Sequence, residues 1–190
     1  MIKQNFLCLA ITLIAICHLP CHSKAQQKEY RPPAEQNKVS LSVLPAVGGF
    51  LDKSEAAFGL GATVSLRQKN HCWMIRCVGL TEFSLGVPNE SDQSIDAGIL
   101  YGIEYRQKRW KFSAAAGAGY YRYINRDAVY SNPGITYITT ITSKKNTIGF
   151  PFQGSVSFQP TAFGFGFHFG GNFNSVRSAL YGGLIYTIRF

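Results

Sequence analysis

Phe163, Phe165, Phe167 and Phe169 alternate with Gly164, Gly166, His168 and Gly170, and this stretch limits the possible folds more than any other feature of the chain. Successive residues of an extended strand point to opposite faces. One face of this segment is therefore wholly aromatic, and the other is small or polar. The preceding segment repeats the scheme, with Ile148, Phe150, Phe152, Val156 and Phe158 against Gly149, Gln153, Ser155 and Ser157. The same period of two marks Val39–Val43, Phe58–Leu66, Trp73–Val87, Ile95–Tyr105, Trp110–Tyr120 and Leu180–Phe190, which makes eight segments in all. Helix signals are poor throughout, and 19 glycines, 14% aromatic and only 15% charged residues favour an all-β chain.

One segment is irregular. Phe83, Leu85 and Val87 oppose Glu82, Ser84 and Gly86, which drops Val78 and Leu80 onto the polar side. A β-bulge near Gly79 would restore the register.

The N-terminus reads as an export signal spanning residues 1–25. Lys3 supplies positive charge, Phe6 to Cys17 is a short apolar run, and Ser23-Lys24-Ala25 ends in a small-x-small cleavage pattern. The run is too short for a membrane helix, which needs about 20 residues. Its removal takes Lys3 and Lys24 and no acid, lowering the formal charge from +9 to +7. Residues 26–37, with Arg31-Pro32-Pro33, form a polar tail. Residues 38–190 form the domain. Its basic residues are scattered or sit at turns, so nucleic acid is not expected as a partner. Cys72 and Cys77 remain in the mature chain; along an extended strand their Cα atoms would lie about 16 Å apart, too far for a disulfide unless a turn intervenes. Only His71 lies close to them, so no metal site is expected, and nothing points to a cofactor.

The connections alternate in length. Gln68–His71, Gln107–Arg109 and Gln159–Thr161 are short, whereas Asp52–Ala56, Val87–Ser94, Asn125–Asn146 and Phe173–Ser178 are mostly longer. Short turns on one side and long loops on the other, joining an even number of strands, is the layout of a transmembrane barrel. Within the longest loop Ile135 to Thr142 alternates weakly, so strands five and six can project as a hairpin. Lipid demands that every backbone polar group be paired internally, which a sheet achieves only by closing. A soluble eight-stranded ligand carrier closes in the same way, with its apolar face inside. Here the Gly/Ser/Ala face suits a crowded lumen, and the long aliphatic and aromatic side chains suit a lipid-facing band. Trp73, Trp110, Tyr105, Tyr120, Tyr186 and Phe190 near segment ends fit interfacial girdles.

The export signal, the eight amphipathic segments and the final Tyr186-Thr187-Ile188-Arg189-Phe190 together resemble the small eight-stranded outer-membrane β-barrel proteins of Gram-negative type. The resemblance implies an antiparallel up-and-down transmembrane barrel located in the outer membrane. It also implies contact with outer-membrane lipid and recognition of the closing strand, ending in Phe190, by the barrel-assembly machinery.

Inward-facing ionisable residues are expected to pair within so narrow a lumen. Arg76, Glu82, Glu104, His168 and Arg189, with Arg67 and Arg106, are assigned to a structural network. Asp52, Glu55, Glu90, Asp92 and Asp96 read as acidic, solvated loop residues. Lipid A deacylases, barrels of similar size, carry a His-x-Ser pair; here His168-Phe169-Gly170 puts glycine at the nucleophile position. No catalytic residue is assigned. The expected role is structural or surface-interacting, through Asn125–Asn146, where Tyr130, Tyr137, Ile138 and Ile141 are candidate contacts for an unidentified surface or envelope protein. The alternatives are a soluble exported barrel holding an apolar ligand, and a lipid-modifying barrel enzyme using His168.

Overall fold

The computed structural model describes residues 38–52, 56–82, 91–130 and 137–190. The expected signal and polar tail lie outside the described residues. Eight strands follow one another: β1 (Lys38–Phe50), β2 (Ala56–Gln68), β3 (His71–Glu82), β4 (Gln93–Gln107), β5 (Trp110–Tyr130), β6 (Tyr137–Phe158), β7 (Phe163–Asn174) and β8 (Ala179–Arg189). Each pairs antiparallel with the next, and β8 pairs with β1, closing an up-and-down barrel.

Closure follows from the alternation. On β7 the four phenylalanines stand outward, with Phe167 70% exposed, while His168 and Gly170 turn inward and are buried. Val39, Leu41, Phe58, Leu60, Ile75, Ile99, Tyr101, Phe112, Phe150 and Leu184 continue this outward apolar band around the barrel. The inward face must be small where backbones crowd together. A Cβ on Gly117 would stand 1.9 Å from the Ile99 carbonyl oxygen, and one on Gly102 would stand 2.0 Å from that of Ala114.

At one end the connections are tight. Lys69-Asn70 joins β2 to β3 and Lys108-Arg109 joins β4 to β5, each with its lysine in the left-handed region at φ 57°. Two prolines interrupt the ladders without changing register. The β5–β6 pairs lapse between Ala116↔Phe152 and Gly119↔Gly149, where Pro151 has no N–H to donate. The β1–β8 seam lapses between Val43↔Tyr186 and Ala46↔Gly183, beside Pro45.

Two expectations are corrected. The bulge near Gly79 is absent, because β3 runs in unbroken register through Leu60↔Gly79 and Gly79↔Ile95. Val78 and Leu80 therefore face inward, where an apolar cluster with Leu44, Tyr121, Tyr181 and Ile185 receives them. The Phe83–Val87 half of that segment lies outside the described residues. Second, most of the expected loop Asn125–Asn146 is paired strand. The β5–β6 ladder continues from Arg122↔Asn146 to Tyr130↔Tyr137, with one register shift at Val129/Tyr130. Cys72 is buried inward and Cys77 exposed outward on the same strand, and both are free thiols.

Candidate functional site in the lumen and at its loop-end mouth

The inward residues stack in layers along the barrel. Nearest the tight turns, Glu104 is buried between three cations: Arg106 Nε at 2.8 Å, Lys111 Nζ at 3.1 Å and Arg67 Nε at 3.5 Å. Such a buried cluster is tolerated because each of the three cations faces the Glu104 carboxylate. Ser40–Ser65, Ser42–Thr187 and Ser113–Ser155 bridge strands at 2.7, 2.8 and 2.7 Å, and Cys72, Met74, Leu100 and Ala115 fill the space between.

Arg76 crosses the middle of the lumen and is 1% exposed. Its Nη2 pairs with the Asp96 carboxylate and also donates to the Gly171 carbonyl at 3.2 Å, while Nη1 donates to the Phe152 carbonyl at 2.8 Å. Asn172 Nδ2 donates to the other Asp96 oxygen at 2.8 Å. The guanidinium lies 5.7 Å from the Tyr181 ring centroid. His168, also buried, meets the Pro45 carbonyl oxygen through Nε2 at 3.1 Å. A carbonyl can only accept, so Nε2 carries the proton. The histidine thereby occupies the carbonyl at the point where the β1–β8 ladder lapses.

Above this lie Leu44, Phe50, Val78, Leu80, Tyr121, Tyr181 and Ile185, and then the mouth. There Arg177, in the β7–β8 connection, donates from Nε to Asp52 at 2.6 Å and from Nη1 to Asp92 at 2.5 Å. It stacks over Phe50 and Tyr123, with centroids at 4.7 and 4.9 Å. Tyr123 Oη donates to Asp92 as well. Asp52, Tyr123, Asn125, Ser143, Lys145, Val176 and Arg177 line a cavity of about 300 Å³ open to the loop end. Below it, fully buried Tyr121, Leu44, Arg76, Leu100 and Glu104 occupy the cross-section. These described side chains fill the lumen at their levels.

Of the residues assigned from sequence to the lumen network, Arg76, Glu82, Glu104 and His168 are buried inward. Arg76 and Glu104 sit in separate clusters, and Glu82 stands at the loop end opposite Ala57. Arg189 is half-buried at the tight-turn end, where its backbone N–H donates to Ala162. Asp92 and Asp96, expected as solvated loop acids, are instead buried partners of Arg177 and Arg76. Ile141 is exposed on β6; the side chains of Tyr130, Tyr137 and Ile138 lie outside the described residues. Sequence reasoning missed Lys111, although its alternation with Trp110 and Phe112 marked it as inward. It also missed Arg177, which sits in a connection where no period exists to read. Among the described residues no group of three or more His, Cys, Asp or Glu could hold a metal ion.

No family model matches the sequence, and no curated protein matches it. Solved structures do. The barrel superposes on Neisserial surface protein A with a TM-score of 0.56 at 14% identity, covering 80% of this chain and 95% of that one. It superposes on Ail, the attachment invasion locus protein of Yersinia pestis, with a TM-score of 0.55 at 12% identity, covering 82% and 100%. The N-terminal β-barrel domain of Pseudomonas aeruginosa OprF gives a TM-score of 0.50 at 8% identity, covering 82% and 100%. The protein therefore has the fold of the small eight-stranded outer-membrane β-barrels. Its apolar exterior suits the same setting.

Proposed function

We propose that the protein is an integral outer-membrane barrel that acts as a rigid anchor for a surface-contacting β5–β6 ribbon and catalyses no reaction. The ribbon carries the reading. On the β4 side, β5 is paired only as far as Gln93↔Ile124, and on the β7 side β6 is paired only from Gly149↔Asn174. Beyond these rungs β5 and β6 pair with each other alone as far as Tyr130↔Tyr137. Six residues of β5 and twelve of β6 thus run beyond their last ladder rung to β4 and β7, about 20 and 40 Å of strand. An investment of this length in backbone paired beyond the last rungs to the neighbouring strands supports a contact role, and one fold neighbour is named an attachment invasion locus protein.

The filled lumen argues against a channel or a carrier of a large apolar ligand, and the apolar exterior argues against a soluble barrel. His168 faces the lumen and is bound to the Pro45 carbonyl, with Gly170 two residues on, which argues against lipid-modifying chemistry. Residues 1–25 would direct export. Phe190, whose N–H donates to Val39 at 2.9 Å while its ring stands exposed, would present the closing strand to the assembly machinery.

The test replaces residues 126–142 by a short Gly-containing turn and compares cells carrying equal surface amounts of the two forms. The shortened barrel should still migrate faster unheated than heated on a detergent gel, as an intact barrel does, and should lose cell–cell aggregation or adhesion. A shortened barrel that inserts and adheres like the full chain would overturn the proposal, as would one that cannot insert.

A further inference from the structure

The outward face of the ribbon changes character abruptly at its base. Tyr120 and Ile148, paired across β5 and β6, are the last outward pair of the apolar band, and Tyr120 Oη donates to Asn146 Oδ1 at 2.8 Å on the next rung. The next three outward rungs are Arg122↔Asn146, Ile124↔Lys144 and Arg126↔Thr142. Each contributes one cation. The orientation is fixed by the alternate residues: Tyr123 is buried, and Tyr123, Asn125, Ser143 and Lys145 line the mouth cavity, so Arg122, Lys144 and Arg126 point the other way.

No ion pair joins these three to a carboxylate among the described residues, and the Arg122 Nε is buried without a hydrogen-bond partner. The neighbouring outward positions on β4 are Ile95 and Gln93, neither of them acidic. Among the described residues the charge is thus uncompensated. By contrast, the basic side chains buried inward, Arg76, Lys111 and Arg177, each have an acid within the chain.

Depth decides what compensates it. Two residues of strand advance about 6.6 Å, or about 5 Å along the membrane normal at a tilt near 40°. Arg122 therefore lies roughly 5 Å and Lys144 roughly 10 Å beyond Tyr120, the depth of lipid headgroups, and Arg126 can bend its long side chain down to them. Diagonal neighbours on a sheet face are about 7–8 Å apart, close enough for two cations to share one phosphate.

We propose that Arg122, Lys144 and Arg126 form a binding facet for phosphate-bearing lipid headgroups of the leaflet at the loop end. The facet rests on the reading that the barrel spans a membrane. It gives the ribbon a second function, fixing its base against the headgroup layer.

The test reconstitutes the whole mature chain in phosphatidylcholine vesicles and compares the association of spin-labelled phosphatidic acid and spin-labelled phosphatidylcholine with the barrel surface. One variant is Arg122→Gln/Lys144→Gln/Arg126→Gln. A control variant, Lys69→Gln/Lys108→Gln/Arg109→Gln, removes the same charge at the tight-turn end. A lysine or arginine beside an anionic surface is worth about a fivefold preference. Wild type and control should therefore favour phosphatidic acid several-fold at low salt, and the facet variant should fall towards parity. Undiminished preference in the facet variant, or loss only in the control, overturns the proposal while leaving the membrane reading intact. Absence of any immobilised phosphatidylcholine would overturn both.

Discussion

Removing the Asp96 carboxylate should destabilise the barrel more than any loss of exterior packing of similar size. Arg76 is 1% exposed, and its acceptors are the Asp96 carboxylate and the Phe152 and Gly171 carbonyls. Asp96→Ala leaves a full positive charge in the lumen with two neutral oxygens, at 2.8 and 3.2 Å. Asn172 also loses its acceptor. Breaking one partner of a buried pair in this way costs about 3–5 kcal/mol. Arg76→Met should cost a similar amount by stranding the acid. The double variant removes both charges, so its loss should fall at least about 2 kcal/mol short of the sum. Urea unfolding from lipid vesicles, read by the shift between folded and unfolded gel bands, gives all three values. An Asp96→Ala variant within about 1 kcal/mol of wild type, or a strictly additive double variant, would refute the reasoning.

Phe167→Arg, near the middle of β7 on the exterior, should cost about 2–4 kcal/mol in the same assay; a loss below about 0.5 kcal/mol would mean that this face is solvated. Gly117→Val should block closure or cost at least about 1–3 kcal/mol, because its Cβ would stand 1.9 Å from the Ile99 oxygen. Gly79→Ala, where the nearest atom is the Ser94 oxygen at 3.9 Å, should be tolerated. In vesicles neither Cys72, buried in the lumen, nor Cys77, turned to lipid, should react with a water-soluble maleimide, and both should react once urea unfolds the chain. Labelling of Cys77 in the folded protein would place it in water.

The eight strands were legible because an apolar exterior on one side and a narrow lumen on the other make the period of two strict. Phe163 to Phe169 and Ile95 to Tyr105 show it most clearly. Legibility failed where the lumen itself is apolar. Val78 and Leu80 looked misplaced on a polar face, and only the presence of Leu44, Tyr181 and Ile185 beside them explains their direction. Alternation gave the facing of Glu104 and Arg76 but not their partners. Those are set by strand stagger, which brings Lys111 to Glu104 and Asp96 to Arg76. Asp92 and Arg177 were hidden for a different reason: both lie outside the strands, and their pairing across 85 residues closes the mouth without leaving any local pattern.

The orientation of the side chains is tested most directly by tryptophan fluorescence. The chain has two tryptophans, Trp73 and Trp110, and both stand outward, 50% and 49% exposed. In vesicles of lipids brominated on their acyl chains both should be strongly quenched, while acrylamide dissolved in the water should have little effect. Emission indifferent to the bromines and quenched by acrylamide would mean that this face meets water, and the membrane-barrel account would fall.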